Sequence, residues 1–203
     1  QQQRDLGSYL AGAGFNMPTH VIRVDWECNG SWYKWSANRP GGADALKQAI
    51  RNYVTNLRAG GLTKVRFDLC FNKGPSQAGA DFAIFPGSEY IDIIGIDQYD
   101  MWAPSFTESD WQREMNKPPS MQAVADFATK NGIMWAMDEG GNTHGGNTMG
   151  GDNPFYWDMV LKTLTKNLSN CAWHVTYDDR GAPDTLRHDF ERNPKSWDRY
   201  KSL

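Results

Sequence analysis

The sequence predicts an α/β protein built on about five parallel strands, and three observations carry that prediction. Apolar runs rich in β-branched residues alternate with helix-period segments along the chain. One run, Ile91-Asp92-Ile93-Ile94-Gly95-Ile96, reads as a strand buried on both faces. The connections after strands are long and rich in functional residue types, whereas those after helices are short and polar: Gly60-Gly61, Asn131-Gly132 and Ser169-Asn170. That asymmetry fits a barrel with its active face at the C-terminal strand ends. A doubly wound sheet fits the alternation too. No Gly-x-Gly-x-x-Gly or Gly-x-x-x-x-Gly-Lys-Ser/Thr follows a strand, so phosphate cradling has no support.

In chain order, Leu6, Tyr9, Leu10 and Phe15 give a short amphipathic helix ending near Gly14. The first strand covers residues 20–27 and runs into a loop holding Asn29, Trp32, Tyr33 and Trp35. After Pro40-Gly41-Gly42, a helix over 43–59 places Leu46, Ala49, Ile50, Tyr53 and Leu57 on one face and closes at Gly60-Gly61. A strand over 64–72 leads to a long connection with one helical turn, then to a strand over 90–99. Residues 100–120 read as loop, with Trp102 and Trp111 partly exposed, either packing within it or lining subsites. Ser120 caps a helix over 121–131, which stops at Gly132. A strand over 133–138 delivers Glu139 to a glycine-rich loop. A helix over 154–168 and a strand over 171–177 complete the series.

The 203 residues, 39% hydrophobic and 13% aromatic, suffice for one packed domain over 1–203. A formal charge of −3 without a Lys/Arg cluster argues against nucleic acid as a partner. No apolar run nears the roughly 20 residues a membrane span needs. The N-terminus lacks a signal-peptide pattern. Cys28, Cys70 and Cys171 are widely spaced, as small buried thiols rather than a zinc cage or disulfide framework. His20, His144, His174 and His188 are too scattered for a metal site, so neither metal nor cofactor is expected, and His174 reads as core. Gly-x-Ser-x-Gly is absent, which removes a serine nucleophile.

Nine Trp, eight Tyr and nine Phe exceed what a core alone requires, and several fall at strand ends. Flat rings suit pyranose faces, an amide suits hydroxyls and a carboxyl group suits chemistry. Glu27, with Asn29, Trp32 and Trp35, is one such constellation, and Glu139 is a second carboxylate at another strand end. Asp138 beside it is the competitor, since strand alternation points one inward and one away. Arg23 reads either as a site residue or as neutralising Asp25 or a buried carboxylate. Asp178 and Asp179 read as rim residues or as site floor.

Arg23-x-x-Trp26-Glu27-Cys28-Asn29-Gly30-x-Trp32-x-x-Trp35 resembles the acid/base segment of family 26 glycoside hydrolases. Tyr90-x-Asp92-x-x-Gly95-x-Asp97-x-Tyr99 is similar to strand 6 of that family, and Met137-Asp138-Glu139-Gly140 to its strand 7. The resemblance covers strands 4 to 8 of a TIM-type (β/α) eight-stranded barrel, so the expected fold is such a barrel truncated to about five strands. It implies a retaining β-glycanase acting on a mannan-like or other extracellular or surface polysaccharide. Glu27 would be the acid/base, Glu139 the nucleophile and Tyr99 its hydrogen-bond donor. Trp32 and Trp35 would shape sugar subsites, with Asn29 beside them. Arg23 would support the carboxylates, and His144 would be within reach of substrate. Trp26 stands where the family usually has His. A non-catalytic glycan-binding protein and a structural subunit of a surface assembly are the alternatives. Five parallel strands leave two open edges, so homo-oligomerisation or a missing N-terminal segment is expected to cover them.

Overall fold

The computed structural model describes residues 1–74, 81–144, 148–178 and 190–202. Five strands form one sheet in sequential order, every pair parallel: β1 (Val21–Val24), β2 (Arg66–Asn72), β3 (Ile93–Asp100), β4 (Met134–Asn142) and β5 (Cys171–His174). Around them lie α1 (Gln2–Gly12), α2 (Gly42–Ala59), α3 (Glu108–Met115), α4 (Met121–Asn131), α5 (Pro154–Lys166) and α6 (Pro194–Lys201). The fold is therefore α/β with a parallel sheet, as the alternation of strand and helix signals requires.

Side-chain alternation divides the sheet into two faces of different chemistry. Phe67, Leu69 and Phe71 of β2, Ile94 and Ile96 of β3, and Trp135 and Met137 of β4 join the apolar core with Leu46, Ile50, Val54 and Leu57 of α2. Val124 and Ala128 of α4 and Trp157 and Val160 of α5 extend the same core. The intervening residues Asp68, Cys70 and Asp97 are as inaccessible as that core, yet polar. Every residue of β3 is buried. Its place at the centre of the sheet accounts for the continuous apolar run in its sequence.

Several local expectations need correction. The face of α1 carrying Leu6 and Tyr9 is not its contact face, since Leu6 is 41% and Tyr9 73% exposed. Gly7 is the buried residue of α1, and a Cβ there would lie 2.5 Å from the Leu57 carbonyl oxygen. Backbone approach to α2 at Gly7 thus docks this helix, and of the predicted apolar set Leu10 and Phe15 pack against the core. On α2, Val54 replaces the exposed Ala49 in the core. Residues 108–115 are helical, and Trp111 is buried on α3 with its indole donating to Thr163 Oγ1 at 3.2 Å. His174 ends β5 as an exposed residue, and that strand stops there rather than at 177. Asp179 and His188 lie outside the described residues, as do 145–147 of the glycine-rich loop.

Candidate active site

β1 stops at Val24, three residues before Glu27, which corrects the expected strand over 20–27. Asp25 (φ 47°) and Glu27 (φ 51°) both take the left-handed conformation that sterics disfavour for side chains with a Cβ. Two such residues in three turn the chain across the end of β2. Asn29 fastens the turn: its Nδ2 donates to the Asn72 carbonyl at 2.9 Å, and the Asn72 amide donates to Asn29 Oδ1 at 2.8 Å. The carboxylate of Glu27 then accepts from Asn72 Nδ2 at 2.6 Å and from Trp32 Nε1 at 2.7 Å. Burial raises the pKa of Glu27. The Trp32 and Asn72 hydrogen bonds oppose that rise, and the charge of Glu139 adds to it.

Glu139 lies within β4, which runs on to Asn142 rather than ending at 138. The register between β3 and β4 passes from Ile96↔Met137 to Asp97↔Glu139, so Asp138 is an extra residue without a ladder partner. This bulge overrides simple alternation. Both acids consequently meet the same guanidinium: Arg23 Nη1 donates to Glu139 Oε1 at 2.8 Å, and Arg23 Nε lies 3.6 Å from Asp138 Oδ2. The expectation that one of the pair points away is therefore overturned. Access separates them instead, because the Glu139 side chain is 23% exposed and that of Asp138 only 2%. Tyr99, at the end of β3, donates its hydroxyl to Glu139 Oε2 at 2.7 Å. Two donors, one of them cationic, thus hold the two oxygens of Glu139 in place.

Arg23 is the hub of this arrangement. Its Nη2 also donates to Asp97 Oδ1 at 2.6 Å and to Cys70 Sγ at 2.7 Å. Cys70, Asp97 and Asp138 bring potential metal-ligand atoms within 4.8 Å of one another, but the guanidinium already supplies a cation to all three. Beneath it, Asp68 is fully buried and faces Asp138. Burial first, then the Asp138 charge, push the Asp68 carboxyl well above the ordinary carboxylate range. Asp138 also accepts from Trp173 Nε1 at 2.9 Å. Arg23 thus neutralises buried carboxylates, of which Asp25 is not one.

The remaining sequence-predicted residues fall in different places. Trp32 is 51% exposed beside Glu27. Trp35 donates to the Trp26 carbonyl at 2.9 Å and stacks on Tyr33 with centroids 4.4 Å apart. His144 is exposed beyond β4, and its imidazole makes no hydrogen bond or ion pair among the described residues. Sequence reasoning gave no role to Asn72 or Asp97. The available signal was an amide at a strand end and an acid within an otherwise apolar buried strand.

Asp25 offers a separate test of this turn. Burial pushes its carboxyl from the ordinary 3.8 up to about 6. The folded chain then binds more protons than the unfolded chain between those values, so stability falls as pH rises through that window. Asp25→Asn keeps a residue tolerant of the left-handed conformation and removes the titration. Thermal melts are expected to show no change near pH 4 and a gain of about 1–2 kcal/mol at pH 7.5. Equal effects at both pH values would show that charge burial is not the cause.

Against this geometry, the sequence profile of glycosyl hydrolase family 26 matches residues 16–178. The chain belongs to glycosyl hydrolase family 26. A mannan endo-1,4-β-mannosidase of Bifidobacterium adolescentis is 27% identical over 177 residues, covering 79% of this chain and 16% of that protein. The catalytic domain of an endo-β-1,4-mannanase of this family from Bacillus sp. JAMB-750 superposes with a TM-score of 0.64 at 23% identity. That match covers 89% of this chain and 49% of the other. A modular endo-β-1,4-mannanase from Cellulomonas fimi gives a TM-score of 0.65 at 19% identity, over 90% and 40% of the two chains. The chain therefore spans at most about half the length of these relatives, and its five strands correspond to part of their barrel-type architecture.

Proposed function

We propose that this family 26 chain acts as the catalytic part of a retaining endo-β-glycanase, with Glu139 as nucleophile and Glu27 as general acid/base. The observation that carries the proposal is the contrast between the two carboxylates. Arg23 and Tyr99 fix the two oxygens of Glu139, while burial and the Glu139 charge raise the pKa of Glu27, the direction a general acid requires. In the first step a Glu139 oxygen bonds to the anomeric carbon, and the Glu27 proton passes to the departing glycosidic oxygen. In the second, Glu27 takes a proton from water, whose oxygen attacks the same carbon and releases Glu139. Two inversions leave the configuration unchanged.

The names of the relatives make a β-1,4-linked mannan the first substrate to try. Proton NMR during the first minutes of mannan hydrolysis is expected to show the β-anomer of the new reducing end. The α-anomer would exclude the double displacement, and binding without hydrolysis would favour the glycan-binding reading. Among the described residues β1 and β5 each pair with one neighbour, so their outer edges present backbone groups for further strands. We place either a second copy or a further segment there. Light scattering reads the first as a multiple of 22.9 kDa, and a particle of 22.9 kDa excludes it.

A further inference from the structure

A recess of about 330 Å³, lined by Trp32 and Trp102 among others, opens beside the two donors to Glu27. Gly30 makes room for Trp32, because a Cβ at that position would sit 2.4 Å from the Trp32 ring. Trp102 follows β3 and is 62% exposed with φ 65°. A large aromatic side chain held in the left-handed region and presented to solvent is a backbone arrangement that packing does not explain. Asn72 and Lys73 line the same recess.

Position identifies what the recess meets. Trp32 and Asn72, which border it, are the two donors to Glu27, whereas Arg23, Tyr99 and Glu139 do not line it. An occupant is therefore attached through the oxygen that Glu27 protonates, on the leaving-group side of the scissile bond. The inference rests on the roles given above to Glu27 and Glu139.

Charge identifies its class. Among the described residues Lys73 Nζ has no ion-pair or hydrogen-bond partner. The acids whose fields reach it are engaged elsewhere. Glu114 accepts from Lys117 at 3.0 Å, and Asp100 accepts from the Ser105 amide at 3.0 Å and from Asn153 Nδ2 at 2.7 Å. Burial lowers the Lys73 pKa, as expected of an ammonium that lacks a close counter-charge. We infer that this recess is a leaving-group subsite selecting a carboxylate-bearing sugar, a uronic acid unit paired with Lys73 beside Trp32 and Trp102.

The test compares two oligosaccharides of equal length, one a neutral β-1,4-mannotetraose and one carrying a uronic acid in the leaving-group half. Binding is measured by calorimetry in Glu139→Gln, and cleavage in the unmodified chain. The acidic ligand is expected to bind roughly tenfold more tightly, the range of one charge-assisted hydrogen bond. Lys73→Gln is expected to abolish that preference, and Lys73→Arg to restore it. Trp102→Ala is expected to weaken both ligands alike. A neutral ligand bound and cleaved with no acidic preference, or a preference that survives Lys73→Gln, would overturn the subsite and leave the catalytic reading standing. Failure to bind or cleave either ligand would overturn both.

Discussion

Glu139→Gln is expected to lower hydrolysis of a β-glycan by at least about 10⁴-fold, because the proposed mechanism gives Glu139 the bond to the anomeric carbon. The neighbouring acid cannot substitute. Asp138 shares the same guanidinium, but its side chain is 2% exposed and already engaged by Trp173. The paired variant Glu27→Gln is expected to behave differently. It should lose about 10²–10⁴-fold on glycans, whose alkoxide must be protonated to leave. It should lose far less on aryl glycosides whose phenolate departs unaided. Azide, which needs no general base, is expected to restore turnover of Glu27→Gln with a β-glycosyl azide as product. With Glu139→Ala the same anion is expected to enter the vacated position and give the α-azide. Reversal of these two stereochemical outcomes would exchange the roles of the residues, and unchanged glycan hydrolysis in either variant would remove it from the mechanism.

Much of the fold was legible because it rests on local signals. The glycine closures at 60–61 and 132, the Ser120 cap and the apolar run of β3 each fixed an element to within a few residues. The helix over 108–115 was missed although its signal was present. Thr107 and Asp110 form a reciprocal capping box, but by composition the polar residues and neighbouring prolines favour a loop. The helix over 194–201 had Pro194 in its first turn and was missed too. Strand ends were less legible. The turn at Asp25 and Glu27 uses left-handed conformations at residues other than glycine, and the bulge at Asp138 depends on pairing with a strand 40 residues earlier. Neither has a composition signature. Glu27, Glu139, Tyr99 and Arg23 could be singled out from their motifs, but the meeting of Arg23 with three acids is a property of sheet order alone.

That meeting makes Arg23→Met the substitution with the largest expected effect on stability. The guanidinium lies 2.6 Å from Asp97, 2.8 Å from Glu139 and 3.6 Å from Asp138, and its own side chain is only 27% exposed. Methionine fills similar volume and leaves the acids without a cation. Breaking a buried ion pair from one side costs about 3–5 kcal/mol, which is roughly 10 °C in melting temperature for a chain of this size. The pH dependence distinguishes charge from packing. Burial raises Asp68, Asp97 and Asp138 above the ordinary carboxylate range even with Arg23 in place. Acids raised in the folded state favour folding at low pH and lose that contribution as pH rises through their folded pKa values. Removing the cation raises them further, so the deficit of Arg23→Met should be small near pH 4 and large at pH 7.5. A deficit equal at both pH values would assign Arg23 a packing role. Glu139 is also left with Tyr99 as its single donor, so turnover should fall even at temperatures where the variant is fully folded. Arg23→Lys separates the two losses: one ammonium can neutralise part of the cluster and recover stability, but it cannot reach Asp97, Cys70 and Glu139 with the geometry of a planar fork. Recovered melting temperature with turnover still depressed is the expected result, measured by calorimetry and mannan hydrolysis on the same preparation.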